Sequence, residues 1–144
     1  MGRFAGIDYG ARRIGLAISD FGHRIASPAG SIKGSGSVLG DSANILHWVA
    51  NNDITGIIVG LPINMDGSDS DQTRLTRRLV AALQEGTSLP IEPWDERLSS
   101  FQADEVLASA ELSQAKRRRL RDSLAAQVIL QSYLDAHREP PPTP

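Results

Sequence analysis

The sequence predicts an α/β fold: a mixed five-stranded sheet, its first three strands antiparallel and the later ones parallel, with helices on both faces. Three observations carry this expectation. An apolar run and an alternating run near the N-terminus are separated by a connection short enough for a hairpin. Ile54-Thr55-Gly56-Ile57-Ile58-Val59-Gly60 is apolar and β-branched throughout, the pattern of a central strand buried on both faces. Beyond Gly34-Ser35-Gly36-Ser37 the periodicity alternates between helix and strand to the C-terminus, as mixed sheets with helical connections require.

Each element has its own signal. Residues 3–8 form the first strand and 14–20 the second, with Ile14, Leu16 and Ile18 on one side and Tyr9-Gly10-Ala11-Arg12-Arg13 between them. A third, weaker strand spans about 25–32. Asp41 to Asn52 reads as a helix burying Ile45, Trp48 and Val49. The central strand ends in the loop Leu61-Pro62-Ile63-Asn64-Met65-Asp66-Gly67-Ser68. Asp69 and Gln72 resemble a capping box for a helix running to about Gln84, with Leu75, Leu79, Ala82 and Leu83 inward and Gly86 as its stop. Ile91 to Trp94 is a short strand. Ser99 with Gln102 predicts a helix to about Ala110, and a last helix is expected from Asp122 or Ser123 to about His137. Residues 1–138 read as one domain, and 139–144, Pro-rich, as a disordered tail.

Composition excludes several chemistries. A chain of 144 residues suits one core. It has no cysteine, hence no disulfide, thiolate catalysis or cysteine-rich zinc site, and it fits a reducing compartment. His23, His47 and His137 lack ligand-like spacing. No signal peptide or apolar span is present, so the expectation is a cytoplasmic protein without membrane contact. The formal net charge is −2, so nucleic-acid binding must come from local patches and metal. There is no Gly-Lys-Ser/Thr phosphate loop and no Gly-x-Ser-x-Gly elbow.

Three acids remain as candidates for chemistry. Asp8 closes the first strand, Glu96 follows the fifth, and Asp122 precedes the apolar run of the last helix. Ligands of such sheets sit beyond the carboxyl ends of parallel strands, where Asp8, the 62–68 loop and Glu96 all fall. Each acid has a plain alternative: a turn aspartate, a loop acid paired with Arg97, and a helix N-cap. Glu96 must also reach across an intervening strand, and Asp66 and Asp95 are other acids on the same rim. Gathered together, the carboxylates would repel unless cations neutralised them. Lys116, Arg117, Arg118, Arg119 and Arg121 form a basic segment; Arg74, Arg77 and Arg78 follow helical spacing; Arg12 and Arg13 flank the hairpin. Such clusters are either solvated faces or guides for a polyanion. Free N–H groups of the helix after Ser68 are a further place for phosphate.

Four blocks together resemble the YqgF family, also called RuvX. They are Gly6-Ile7-Asp8-Tyr9-Gly10 with Arg13-Ile14-Gly15, Gly60-Leu61-Pro62-Ile63-Asn64-Met65-Asp66-Gly67, Asp95-Glu96-Arg97-Leu98-Ser99, and Asp122-Ser123-Leu124-Ala125-Ala126 with Ile129-Leu130-Gln131-Ser132-Tyr133-Leu134. The resemblance implies an RNase H-like sheet with Asp8, Glu96 and Asp122 as catalytic acids holding two Mg²⁺ or Mn²⁺ ions, roughly 3.5–4 Å apart in sites of this kind. It implies a nuclease that matures the 5′ end of pre-16S rRNA, with kinship to Holliday junction resolvases. The expected partners are RNA or branched DNA and ribosomal precursor particles, and the chain is expected as monomer or homodimer. Residues expected to bind the substrate are Arg12, Arg13, Asn64, Gly67, Ser68, Arg74, Arg97, Lys116, Arg118, Arg119 and Arg121. Arg121 stands where the family is usually apolar. Two rival readings are a non-catalytic nucleic-acid-binding or ribosome-associated module and an actin-like nucleotide phosphotransferase. The second needs two subdomains, and this chain has room for one.

Overall fold

The computed structural model describes residues 2–98 and 114–138, and the side chains of 114–119 lie outside the description. The elements are β1 (Arg3–Tyr9), β2 (Arg13–Ser19), β3 (Ala26–Lys33), α1 (Val38–Ala50), β4 (Ile54–Leu61), α2 (Asp71–Gly86), β5 (Ile91–Asp95), a 3₁₀ turn (Glu96–Leu98) and α3 (Gln114–Ala136). The sheet order is β3-β2-β1-β4-β5. β1–β2 and β2–β3 are antiparallel, and β1–β4 and β4–β5 are parallel. The mixed sheet of the sequence reading is therefore present. The helix expected over 99–110 and the 139–144 tail fall outside the described residues.

Strand alternation divides the core. Ile7, Tyr9, Ile14, Leu16, Ile57 and Val59 pack with Ile45 and Val49 of α1 and with Leu79 and Leu83 of α2. Ile58, Ala17 and Ala26 point to the opposite face and meet Ala126, Ile129, Leu130 and Leu134 of α3. Each fully buried Ile or Leu contributes roughly 1.5–3 kcal/mol, so the paired faces hold β1 and β4 as the rigid centre.

Three helix starts differ from expectation. Helix α1 begins earlier, capped by Ser37, whose side chain accepts from the Gly40 N–H. For α2 the capping box is Ser70 with Thr73, because Asp69 is engaged elsewhere: its backbone bridges Ile63 and its carboxylate takes Arg77. The final helix starts at Gln114, so Asp122 lies about two turns inside it rather than at its cap. Gln114 to Arg121 is a run of strong helix formers with no Gly or Pro to stop propagation. The basic segment is thus part of α3.

Candidate nuclease site

The end of the sheet where β1, β4 and β5 terminate carries the acids. Asp8, next to last in β1, pairs across the hairpin with Gly15 of β2. Its side chain points to the α3 face, since its neighbours Ile7 and Tyr9 belong to the other core. Asp122 arrives from α3 directly over Gly15. A Cβ at Gly15 would stand 2.0 Å from the Asp122 carbonyl oxygen, so the absence of a side chain there lets the helix backbone rest on the strand. Ser123 fastens the same point. Its hydroxyl donates to the Leu16 carbonyl (2.9 Å) and accepts from the Gly30 N–H (3.0 Å). Gly30 lies in the irregular stretch of β3 where the register with β2 shifts.

Glu96 faces the obstacle that β4 separates β5 from β1, which puts the outer strands roughly 10 Å apart. Gly60 of β4 removes it. The Glu96 Oε1 atom lies 3.1 Å from where a Cβ on Gly60 would be, so the carboxylate crosses β4 through the space a side chain would fill. The turn carrying Glu96 is anchored to α3: Ser132 donates to the Leu98 carbonyl, and the Trp94 indole N–H donates to Ser132, both at 3.0 Å. Arg97 folds back on Asp95, with Nη2 to Oδ2 at 2.7 Å.

The three acids are brought into electrostatic contact. Burial, then the charge of Asp122, pushes the Asp8 carboxyl up to about 6, against a hydrogen bond with Glu96 that favours its ionised form. Burial, followed by the Asp8 charge and their shared hydrogen bond, pushes Glu96 up to about 7, with Asp95 adding to it. Burial also raises Asp122, while Arg13 and Arg121 pull it down. Asp8 and Glu96 thus titrate as a coupled pair that holds a proton near neutrality. Among the described residues no three acids or histidines stand close enough to form a ready-made cage for one ion. The donor chemistry nonetheless suits Mg²⁺ or Mn²⁺, which take hard carboxylate oxygens. Magnesium in particular often uses only one or two of them beside water and substrate phosphate.

The predicted cations divide into two groups. Arg12, Arg13 and Arg121 line a pocket of about 490 Å³ with Gly10, Ala11 and Asp122, beside the acids. On the other side, Arg74 is paired with Asp71 and Arg77 with Asp69. Arg97 is held by Asp95 and reaches the Asn64 carbonyl. The 64–68 loop is also turned on itself. Asn64 donates to the Ser68 hydroxyl, Ser68 donates to Asp66 through its N–H and hydroxyl, and Gly67 takes a positive φ while its N–H meets the Asn64 carbonyl. At the start of α2 the Ser70 side chain occupies the Thr73 N–H, and the Arg74 N–H reaches the Ser70 carbonyl. The side chains of Lys116, Arg118 and Arg119 lie outside the described residues.

The resemblance blocks contain Gly15, Gly60 and Ser123, but sequence reasoning gave them no part in the site. A glycine inside an otherwise apolar strand was the available signal for the first two. It also gave Tyr9 no role and read Gln72 as part of a capping box that Ser70 and Thr73 form instead. The Tyr9 hydroxyl binds buried Asp41 at the start of α1, and its carbonyl accepts from Gln72 of α2 (2.7 Å), which ties the end of β1 to both helices.

Known proteins agree with this architecture. A family model described as "RuvX: Holliday junction resolvase" matches residues 2–136. A protein of Rhizobium etli is 41% identical over 131 residues, covering 91% of this chain and 79% of its own length, and is named "Putative pre-16S rRNA nuclease". One of the same name from Myxococcus xanthus is 37% identical, covering 96% and 91%. Among solved structures, Thermus thermophilus RuvC in complex with a Holliday junction substrate superposes with a TM-score of 0.56 at 14% identity, covering 95% of this chain and 97% of that one. The yeast mitochondrial Holliday junction resolvase Ydc2 gives 0.55 at 11% identity, covering 92% and 78%. These two likenesses place the sheet and helices among RNase H-like folds. With the family model spanning nearly all of the sequence and relatives at about 40% identity, the chain belongs to the RuvX family.

Proposed function

We propose that this protein is a divalent-metal-dependent endonuclease that hydrolyses phosphodiesters of structured nucleic acid, with precursor 16S rRNA as its substrate and residues 1–138 as its single catalytic domain. The observation that carries the proposal is the convergence of Asp8, Glu96 and Asp122 from β1, the turn after β5 and α3, with all three carboxyls raised in pKa. Carboxyls raised by burial and by one another's charge, with Asp122 lining a pocket, point to function. The choice of substrate rests on the name borne by the relatives.

In this reading Asp8, Glu96 and Asp122 are the carboxylates that would hold Mg²⁺ or Mn²⁺, whose hard oxygen preference they match. When bound, such cations activate water as a nucleophile and neutralise the leaving oxygen. The chain's own residues set the stage. Glu96 shares a hydrogen bond with Asp8, and burial beside that charge keeps its carboxyl readily protonated. Gly60 and Gly15 keep the acids at close range. Arg12, Arg13 and Arg121 receive the strand, and Arg97 orients the turn carrying Glu96 through Asp95.

The test compares a precursor 16S rRNA fragment and a four-way DNA junction, each with Mn²⁺, Mg²⁺ or EDTA. Metal-dependent cleavage of the rRNA fragment, lost in Asp8→Asn, is the expected result. Equal cleavage by Asp8→Asn removes the role given to the acids. Cleavage of the junction alone, in symmetric pairs of nicks, replaces the substrate by branched DNA, the reading favoured by the family description and the RuvC-like fold.

A further inference from the structure

We propose that the groove lined by Arg12, Arg13, Ser31 and Lys33 is a phosphate subsite that takes one backbone phosphate of the strand, so that the nucleic acid runs from the acids across the β1–β2 turn and over the edge strand β3. The proposal rests on the nuclease reading for the identity of its ligand and on different residues for its geometry. The groove has a volume of about 460 Å³ and shares Arg12 and Arg13 with the pocket that contains Asp122 and Arg121. The two form one path.

Charge is what singles this groove out. Arg13 and Lys33 are direct cross-strand partners in the β2–β3 ladder. Like charges placed opposite one another in a sheet destabilise it. Arg12 is brought to the same place because its carbonyl accepts from the Gly34 N–H at 2.8 Å, immediately after Lys33. Among the described residues, no salt bridge or side-chain hydrogen bond reaches Arg12, Arg13 or Lys33, and Arg13 interacts with Asp122 through charge alone. The Arg13 Nη1 atom is buried without a partner. An orphaned buried donor amid cations without a hydrogen-bonded counter-ion is an unfavourable arrangement that an anion relieves. Arginine forks suit phosphate oxygens, and the Ser31 hydroxyl adds a neutral donor. Two of the three arginines of α2 behave oppositely, since Arg74 and Arg77 are already neutralised by Asp71 and Asp69. Among the described residues, the β3 side therefore carries open positive charge next to the acids.

The experiment measures binding of a fluorescent single-stranded RNA of about ten nucleotides, in EDTA, across a series of salt concentrations, for the wild type, Lys33→Gln and Arg24→Gln. Arg24 is an exposed cation in the β2–β3 turn, at the opposite end of that hairpin. Loss of one phosphate contact on a single strand lowers the slope of log affinity against log salt by about 0.7. Lys33→Gln is expected to show that drop and Arg24→Gln to keep the wild-type slope. A parallel titration with inorganic phosphate separates a strand phosphate from a free anion. Equal slopes for all three proteins overturn the proposal. So does a Lys33→Gln defect confined to inorganic phosphate, or a wild type that binds no RNA. Absence of Mn²⁺-dependent cleavage together with the expected slope difference removes the catalytic reading and leaves the groove supported.

Discussion

Replacing Asp8 by Asn should stabilise the metal-free protein at neutral and alkaline pH. Asp8 rises from its ordinary 3.8 to about 6 on folding. At 1.36 kcal/mol per pH unit this corresponds to about 3 kcal/mol of strain on the ionised carboxylate. The sign follows from linkage. The folded state holds a proton that the unfolded chain has released, so the stabilising contribution is complete below pH 3.8 and disappears as pH rises through about 6. Glu96 extends the same trend to about 7. The wild type, kept in EDTA, should therefore lose stability between roughly pH 4 and pH 7, and Asp8→Asn should lose less, keeping the part that burial imposes on Glu96. Urea unfolding at both ends of the range measures the difference. Near pH 8 the variant should be more stable by up to about 3 kcal/mol, or roughly 10 °C in Tm. Near pH 4 the two should coincide. A variant less stable than wild type at pH 8, or a difference independent of pH, would refute the idea that crowded, buried carboxylates strain this site.

Other consequences can be measured separately. Apparent Mg²⁺ or Mn²⁺ affinity should strengthen as pH rises through about 7, because metal and proton compete for Asp8 and Glu96; calorimetric titration at several pH values checks this, and a flat profile counts against the shared proton. Gly60→Ala places a methyl 2.4 Å from the Ile129 Cδ1 atom and 3.1 Å from the Glu96 Oε1 atom. It should destabilise by about 1–3 kcal/mol and reduce cleavage more than RNA binding, and unchanged cleavage would contradict the crossing of Glu96 over β4. Gly15→Ala meets backbone rather than a side-chain end, so it should be the more damaging of the two in thermal unfolding. Ser123→Ala leaves the Leu16 carbonyl and the Gly30 N–H without their buried partner. It should cost about 1–3 kcal/mol, read by denaturant unfolding, and a neutral result would show that the helix needs no such anchor.

Much of this protein follows from local pattern. The alternation of Ile14, Leu16 and Ile18 and the continuous run Ile54–Gly60 are physical consequences of which strand faces are buried, so hairpin, central strand and mixed sheet were legible without coordinates. The three acids were legible as candidates because they end strands or precede an apolar helical run. Helix starts were less so. Asp122 suits a cap by residue type, but the upstream run from Gln114 keeps good helical propensity, and propagation overrides a capping preference.

The sequence by itself determined the order of elements, the faces that pack, and the inventory of carboxylates and cations. Tertiary structure alone decided which of these groups meet. Glu96 reaches Asp8 only because Gly60 leaves a gap in the strand between them, and Asp122 rests on β2 only because Gly15 has no side chain. Arg74 and Arg77 form salt bridges with carboxylates, whereas Arg13 and Lys33 are set side by side with no salt bridge among the described residues. The reason is physical: burial and pairing depend on distances between residues far apart in the chain, and those distances are properties of the packed sheet.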